Sequence, residues 1–126
     1  MNAHHDRFVK VFSSLFDDSV LFAGDRIPEK TRSDASQTGR HLPLFYLRPA
    51  SVDQVSHALR ACNAYKIPVV VQGGMTGLAG GANPDNGEIV IAMDRLSGVE
   101  DIDTAAGTMT VLAGTPLELA QKAAED

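Results

Sequence analysis

The chain holds a single cysteine, Cys62, among its 126 residues. No intrachain disulfide can form, and Cys62 is expected as a small core residue on the buried side of a helix. Long apolar runs are missing as well. None approaches the ~18 residues of a membrane span, and the opening "MNAHHDRF" offers neither the apolar stretch nor the cleavage site of a secretory leader. The expected setting is cytoplasmic and reducing. Basic residues are in deficit, with 11 Lys and Arg against 16 Asp and Glu, a formal net charge of -5 and a pI near 5.2. Nucleic-acid binders concentrate Lys and Arg to release counterions, and this chain has no such cluster. His4, His5 and Asp6 lack the i, i+4 spacing of a helical metal site and are expected on a solvated end. His41 and His57 are isolated and expected at the surface, so no metal site is expected.

Glycine is concentrated where it occurs. Of 11 glycines, five fall within positions 73–81, in "GGMTGLAGG". No two glycines stand two positions apart, which rules out a fingerprint with glycines at i, i+2 and i+5. No glycine precedes a lysine, which rules out the nucleoside-triphosphate loop. Both common glycine-rich phosphate loops are absent, and the run needs another explanation.

The 44% hydrophobic content suits one modest globular domain, and the pattern around the run says what kind. Phe8, Val11, Phe12, Leu15 and Phe16 trace one face of an amphipathic helix that needs something to lie on. Residues 24–43 form a polar connection with no periodicity of their own. Residues 44–47, "LFYL", predict a short buried strand ending at Arg48-Pro49. Ser51 and Gln54 form a capping box; the helix they open carries Val52, Val55, Leu59 and Cys62, with Ala58, Ala61 and Tyr65, until Pro68 forbids more. Residues 67–71 are β-branched and apolar on both faces, as in a parallel strand covered on each side. Strand, helix, strand with short connections is a βαβ unit, with parallel strands and a right-handed crossover. Residues 88–93, "EIVIAM", predict another strand after the turn at 83–87. Two further strands, 99–102 and 108–112, are joined by a hairpin with Gly107 available for positive φ. Thr115, Pro116 and Glu118 predict a helix start, with Thr115 as cap. The last helix reaches Glu125 and Asp126 without a glycine cap and with acids at the end that prefers cations; the expectation is that the chain is one piece of a longer protein.

The glycine run thus begins where a parallel strand lets go, the end of an open α/β sheet where ligands collect. Glycines let several amides turn toward one anion without a Cβ in the way. Each charge-assisted N–H···O contact contributes about 1.5–3 kcal/mol, so three or four hold a diphosphate without a lysine, and Thr76 adds a hydroxyl. A tightly turning loop with no ligand is the other reading of the same composition.

From Arg48, "RPASVDQVSHALRACNAYKIPVVVQGGMTGLAGG" followed by "GEIVIAMDRLSGVEDIDTAAGTMTVLAGTPLELAQKAAED" resembles the start of an FAD-linked oxidase of the vanillyl-alcohol oxidase type, with a PCMH-type FAD-binding domain, and the resemblance covers about residues 32–126. Within that superfamily it is most similar to the D-lactate dehydrogenase and glycolate oxidase FAD-subunit group. The resemblance implies a mixed α/β (α+β) fold with a βαβ core, an N-terminal helix and the start of a second, antiparallel subdomain. It divides the chain into residues 1–31, helix and connection, and residues 32–126, an incomplete FAD-binding domain. It implies that Val71, Gln72, Gly73, Gly74, Met75, Thr76, Gly77 and Leu78 wrap the FAD diphosphate through main-chain amides. Met75 stands where some branches carry a histidine bonded to the flavin, so FAD is expected to be non-covalent. The implied activity is oxidation of a 2-hydroxy acid such as D-lactate or glycolate, with hydride passing to FAD and electrons leaving to a cytochrome, quinone or partner flavoprotein. Relatives draw their substrate-binding and ring-embracing residues from sequence beyond Asp126, so no catalytic residue is assigned here. "TRSDAS", residues 31–36, matches a polar family motif and is equally well a plain turn; Asp94-Arg95 reads as an ion pair at a strand end. The alternative is a truncated, non-catalytic nucleotide-binding or assembly module, in which the helix at residues 8–16 covers a neighbouring chain.

Overall fold

The computed structural model describes residues 3–29, 42–73, 84 and 87–125. Its elements in chain order are α1 (Ala3–Leu15), β1 (Leu21–Phe22), a 3₁₀ turn (Gly24–Arg26), β2 (Phe45–Leu47), α2 (Val52–Tyr65), β3 (Val69–Gln72), β4 (Ile89–Ala92), β5 (Val99–Asp103), β6 (Thr108–Val111) and α3 (Leu117–Glu125). The fold is mixed α/β.

A four-stranded sheet runs β1-β2-β4-β3, and β5-β6 form a separate antiparallel pair. β2 and β3 each lie parallel to β4, in registers Tyr46↔Val90 and Val70↔Val90. The strand-helix-strand unit is therefore present, but β4 inserts between its two strands. β3 is thus an edge among the described strands, and the expectation that both its faces are covered is corrected by Val71, which is 57% exposed. β2 and β4 are each buried along their whole length, β4 from Ile89 to Ala92. The alternating side chains of β4 feed two cores, as strand periodicity requires. Ile89 and Ile91 join Phe45, Leu47 and the helices, while Val90 and Ala92 join Tyr46 and Ile27 on the other face.

α1 lies on its own sheet and does not wait for a neighbouring chain. Phe8, Phe12 and Phe16 are buried, with Phe12 stacked on Phe45 at 5.6 Å between centroids. Leu15, expected on that face, is 46% exposed. His4 is not on a loose end: its Nε2 lies 2.6 Å from the Tyr65 carbonyl at the end of α2. α2 meets α1 through Ala58, Ala61 and Cys62, small residues that let the phenylalanines approach. Val52 (64% exposed) and Leu59 (45%), expected in the buried stripe, face outward. Burial pushes the Cys62 thiol up to about 11, leaving it protonated and inert at neutral pH.

The ends of α2 follow local chemistry. The Ser51 hydroxyl accepts from Gln54 N–H at 3.3 Å, and the Gln54 side chain reaches back 2.7 Å to the amide of Ala50, one residue earlier than a reciprocal box requires. The helix stops at Lys66, which adopts the left-handed conformation (φ 57, ψ 41) two residues before Pro68. Its N–H bonds Asn63 O, and Ile67 N–H bonds Cys62 O at 2.9 Å, the pairing that satisfies the last helical carbonyls.

Candidate functional site

At the carboxyl ends of β3 and β4 the chain leaves a cleft of about 470 Å³, lined by Gly73, Asp94, Ser97, Ala113, Gly114, Thr115, Pro116 and Leu117. Gly73 follows β3 directly. Gln72 is buried opposite Ala92, and its carbonyl accepts Met93 N–H at 2.9 Å, so the two strand ends are fixed side by side. At Gly73 a Cβ would meet nothing within 4 Å among the described residues.

The opposite wall arrives from far along the sequence. After β4 the chain turns, with Leu96 N–H bonding Met93 O at 2.9 Å, runs through the hairpin and returns to place Gly114 N–H on Leu96 O at 2.7 Å. Thr115 holds the return in place: its hydroxyl accepts from Gly98 N–H at 3.0 Å and donates to Leu112 O at 2.7 Å. This corrects the expectation that Thr115 caps α3. The helix instead opens from the Pro116 carbonyl, which accepts from Leu119 N–H and Ala120 N–H. The amino end of α3 therefore borders the cleft, the helix end that favours anions.

Asp94 brings the one formal charge among the described lining residues. It does not pair with its neighbour Arg95. Arg48, just after β2, grips it with two hydrogen bonds, Nη2 to Oδ2 at 2.7 Å and Nε to Oδ1 at 3.2 Å. That contact raises the Arg48 pKa further. Burial, with the Asp94 charge next, raises the Tyr46 phenol. Arg95 donates to the carbonyls of Ser19 and Arg48, binding the 17–20 turn to the sheet end.

Of the expected diphosphate residues, Gly73 lines the cleft and Gln72 ties its floor, while Val71 is an exposed edge residue. Gly74, Met75, Thr76, Gly77 and Leu78 lie outside the described residues, as do residues 31–36 and His41. His57 is exposed. Among the described residues, no three His, Cys, Asp or Glu side chains converge as a metal site and no helix is long and apolar enough to cross a membrane. The wall at residues 113–117 escaped the sequence reading as part of a site. Its signal, Ala113-Gly114, lies within the stretch that carries the resemblance.

Residues 43–126, two thirds of the chain, match the model of the FAD binding domain family. The chain belongs to that family. The FAD binding domain begins just before β2 and takes in the whole cleft. The chain is 43% identical over 84 residues to a D-2-hydroxyglutarate dehydrogenase of Xanthomonas citri pv. viticola, covering 67% of this chain and 18% of that protein. It is 33% identical over 117 residues to a D-2-hydroxyglutarate–pyruvate transhydrogenase of Saccharomyces cerevisiae, covering 90% of this chain and 23% of that one. The chain thus spans about a fifth of the length of the curated relatives it matches. Its fold is similar to a quarter of p-cresol methylhydroxylase, solved with substrate bound, at a TM-score of 0.74 and 19% identity over 98% of this chain and 25% of the other.

Proposed function

We propose that the main chain of Val71, Gln72, Gly73, Gly74, Met75, Thr76, Gly77 and Leu78 holds the diphosphate of a non-covalent FAD. In this reading residues 32–126 form the opening of the FAD-binding part of a flavin-dependent D-2-hydroxy-acid dehydrogenase, and residues 1–31 supply a helix and connection. The observation that carries the reading is the bare backbone of Gly73 at a sheet end, facing a cleft bordered by the amino end of α3. A Cβ there would project into open space, which is the fit an incoming diphosphate needs. FAD, when bound, supplies the hydride acceptor. The chain's own part is to bind and orient it. The one titratable side chain on the described lining, Asp94, is committed to Arg48, so the described lining presents no carboxylate unengaged by Arg48. The names of the two relatives above support a D-2-hydroxy acid as the substrate of the whole protein; a cytoplasmic setting is our own reading of the sequence.

The test is titration of the purified chain with FAD, FMN and riboflavin, followed by flavin fluorescence. FAD is expected to bind at least tenfold more tightly than FMN, which lacks the diphosphate bridge, and Gly73→Val and Gly74→Val are each expected to lose about tenfold, one charge-assisted contact's worth. No turnover of D-2-hydroxyglutarate or D-lactate with an artificial acceptor is expected. Equal affinity for FAD and riboflavin, or turnover by this chain alone, would refute the assignment.

A further inference from the structure

The β5-β6 pair has two open edges among the described strands, and they are not equivalent. β5 carries Glu100, Asp101 and Asp103, and its ladder is irregular between Val99 and Asp101, where Glu100 is the extra residue. Charged side chains and bulges are two of the devices that keep an edge from pairing with another chain. β6 (Thr108–Val111) has neither: it is regular, uncharged, free of proline and largely exposed. The faces of the pair differ as well. Ile102 lies opposite Met109 and Val99 opposite Val111, and Ile102 and Met109 border a hollow of about 330 Å³ together with Ala124 of α3. α3 therefore sits on the apolar face without closing it, since Ile102 stays 45% exposed and Val111 38%.

We infer that two copies of this chain pair through β6, antiparallel about a two-fold axis, to give a closed dimer whose joined sheet runs β5-β6-β6-β5. Charge selects the second copy and the edge it uses. When β6 meets its own copy, Thr108, Met109, Thr110 and Val111 bring no charge against another. If β5 met its own copy, the acids at 100, 101 and 103 would face acids, and like charges across strands repel. A two-fold axis normal to the sheet keeps the apolar face on one side in both copies. The half-covered strips holding Ile102, Met109 and Val111 then run together, with both α3 helices on that side. Two strands alone are marginal in water, whereas four with an apolar face are not. Assembly stops at two because the outer edges of the joined sheet are the acidic, bulged β5 strands; β6 on β5 of the next copy would instead propagate without closing. The pairing uses neither the cleft nor FAD.

The experiment is sedimentation equilibrium of the full 126-residue chain at rising concentration, up to about 2 mM. With four residues a side, the contact falls at the small end of specific interfaces, below about 1,200 Å² in total, and a dimer dissociating in the micromolar to millimolar range is expected. Thr110→Glu is expected to weaken the dimer at least about fivefold, because the two-fold axis brings position 110 of each chain beside that of its partner. Thr110→Gln, of the same size and uncharged, keeps it. Thr108→Glu is a second disruptor should the first variant fail to fold, as a thermal melt reports. Glu100→Lys, on the other edge, is expected to leave the dissociation constant within about twofold. Hydrogen exchange locates the contact: amides of β6 gain more protection than those of β5 as concentration rises. A monomer at every concentration overturns the inference and leaves β6 to a strand of other origin. Open-ended assembly, or a dimer that neither folded glutamate variant weakens, overturns it as well. Loss of FAD binding without loss of the dimer refutes the FAD assignment and leaves this one standing.

Discussion

Gly114 is held by contacts that leave no room for a side chain. A Cβ there would sit 1.7 Å from the Met93 carbonyl oxygen, 2.5 Å from its carbon and 2.9 Å from Leu96 O. All three are backbone atoms, which cannot swing aside as a flexible side-chain tip can. The missing side chain lets Gly114 N–H reach Leu96 O at 2.7 Å, seating the 113–117 wall on the end of β4. Gly114→Ala is expected to destabilise the chain by about 1–3 kcal/mol through overpacking, whereas Gly73→Ala, with open space around it, stays within about 0.5 kcal/mol. Urea denaturation of the two variants checks this, and a Gly114→Ala chain as stable as wild type would show that the close approach does not exist. The two glycines also mark how far the site was legible. Gly73 belongs to a local cluster, and composition exposes a cluster. Gly114 is required by a carbonyl twenty-one residues upstream, and no spacing along the chain announces a contact of that kind.

Among the elements, α2 separates what is local from what is not. Its start is written in adjacent residues: Ser51 extended at φ -147 and ψ 159, its hydroxyl on Gln54 N–H, with Asp53 in the first turn. Ser51→Ala removes the acceptor for that amide and is expected to cost about 1 kcal/mol, read as a lower urea midpoint at unchanged slope. A shift below the error of the measurement would mean that water replaces the cap at no cost. The buried stripe was less readable, because Val52 and Leu59 are more apolar than Ala58 and Ala61 and yet lie outside. The choice is made by α1, whose Phe8 and Phe12 fill the space that small residues leave. Large rings on one helix select small partners on the other, a complementarity of volume that hydrophobic period alone does not encode. β1 is two residues long and has no period at all, so no pattern along the sequence announces it. The order of strands was hidden for a related reason: β3 precedes β4 in sequence, but only pairing decides which of them lies in the middle.

At the scale of the whole molecule, stability is unevenly distributed. The four-stranded sheet with α1 and α2 contains the buried clusters, centred on β4. The β5-β6 pair has no buried residue, nor has α3, and apolar side chains such as Ile102, Val111, Leu117 and Leu119 remain exposed there. Hydrophobic burial is the main favourable term in folding, so the hairpin and α3 contribute little of it and are held chiefly by the links through Gly98, Gly114 and Thr115. Regions with few buried apolar contacts open locally at a lower free energy than the global transition. Native-state hydrogen exchange is therefore expected to divide the chain in two. Amides of β2, β4 and the middle of α2 exchange only through global unfolding, with a denaturant dependence equal to that of the equilibrium transition. Amides of β5, β6 and α3 exchange faster and with a shallower dependence. A ligand seated between Gly73 and the 113–117 wall touches both parts, so its binding raises the protection of α3 and the hairpin more than that of β4. A single protection level across both sheets, unchanged by ligand, would show instead that the chain folds as one cooperative unit and that the cleft does not couple its walls.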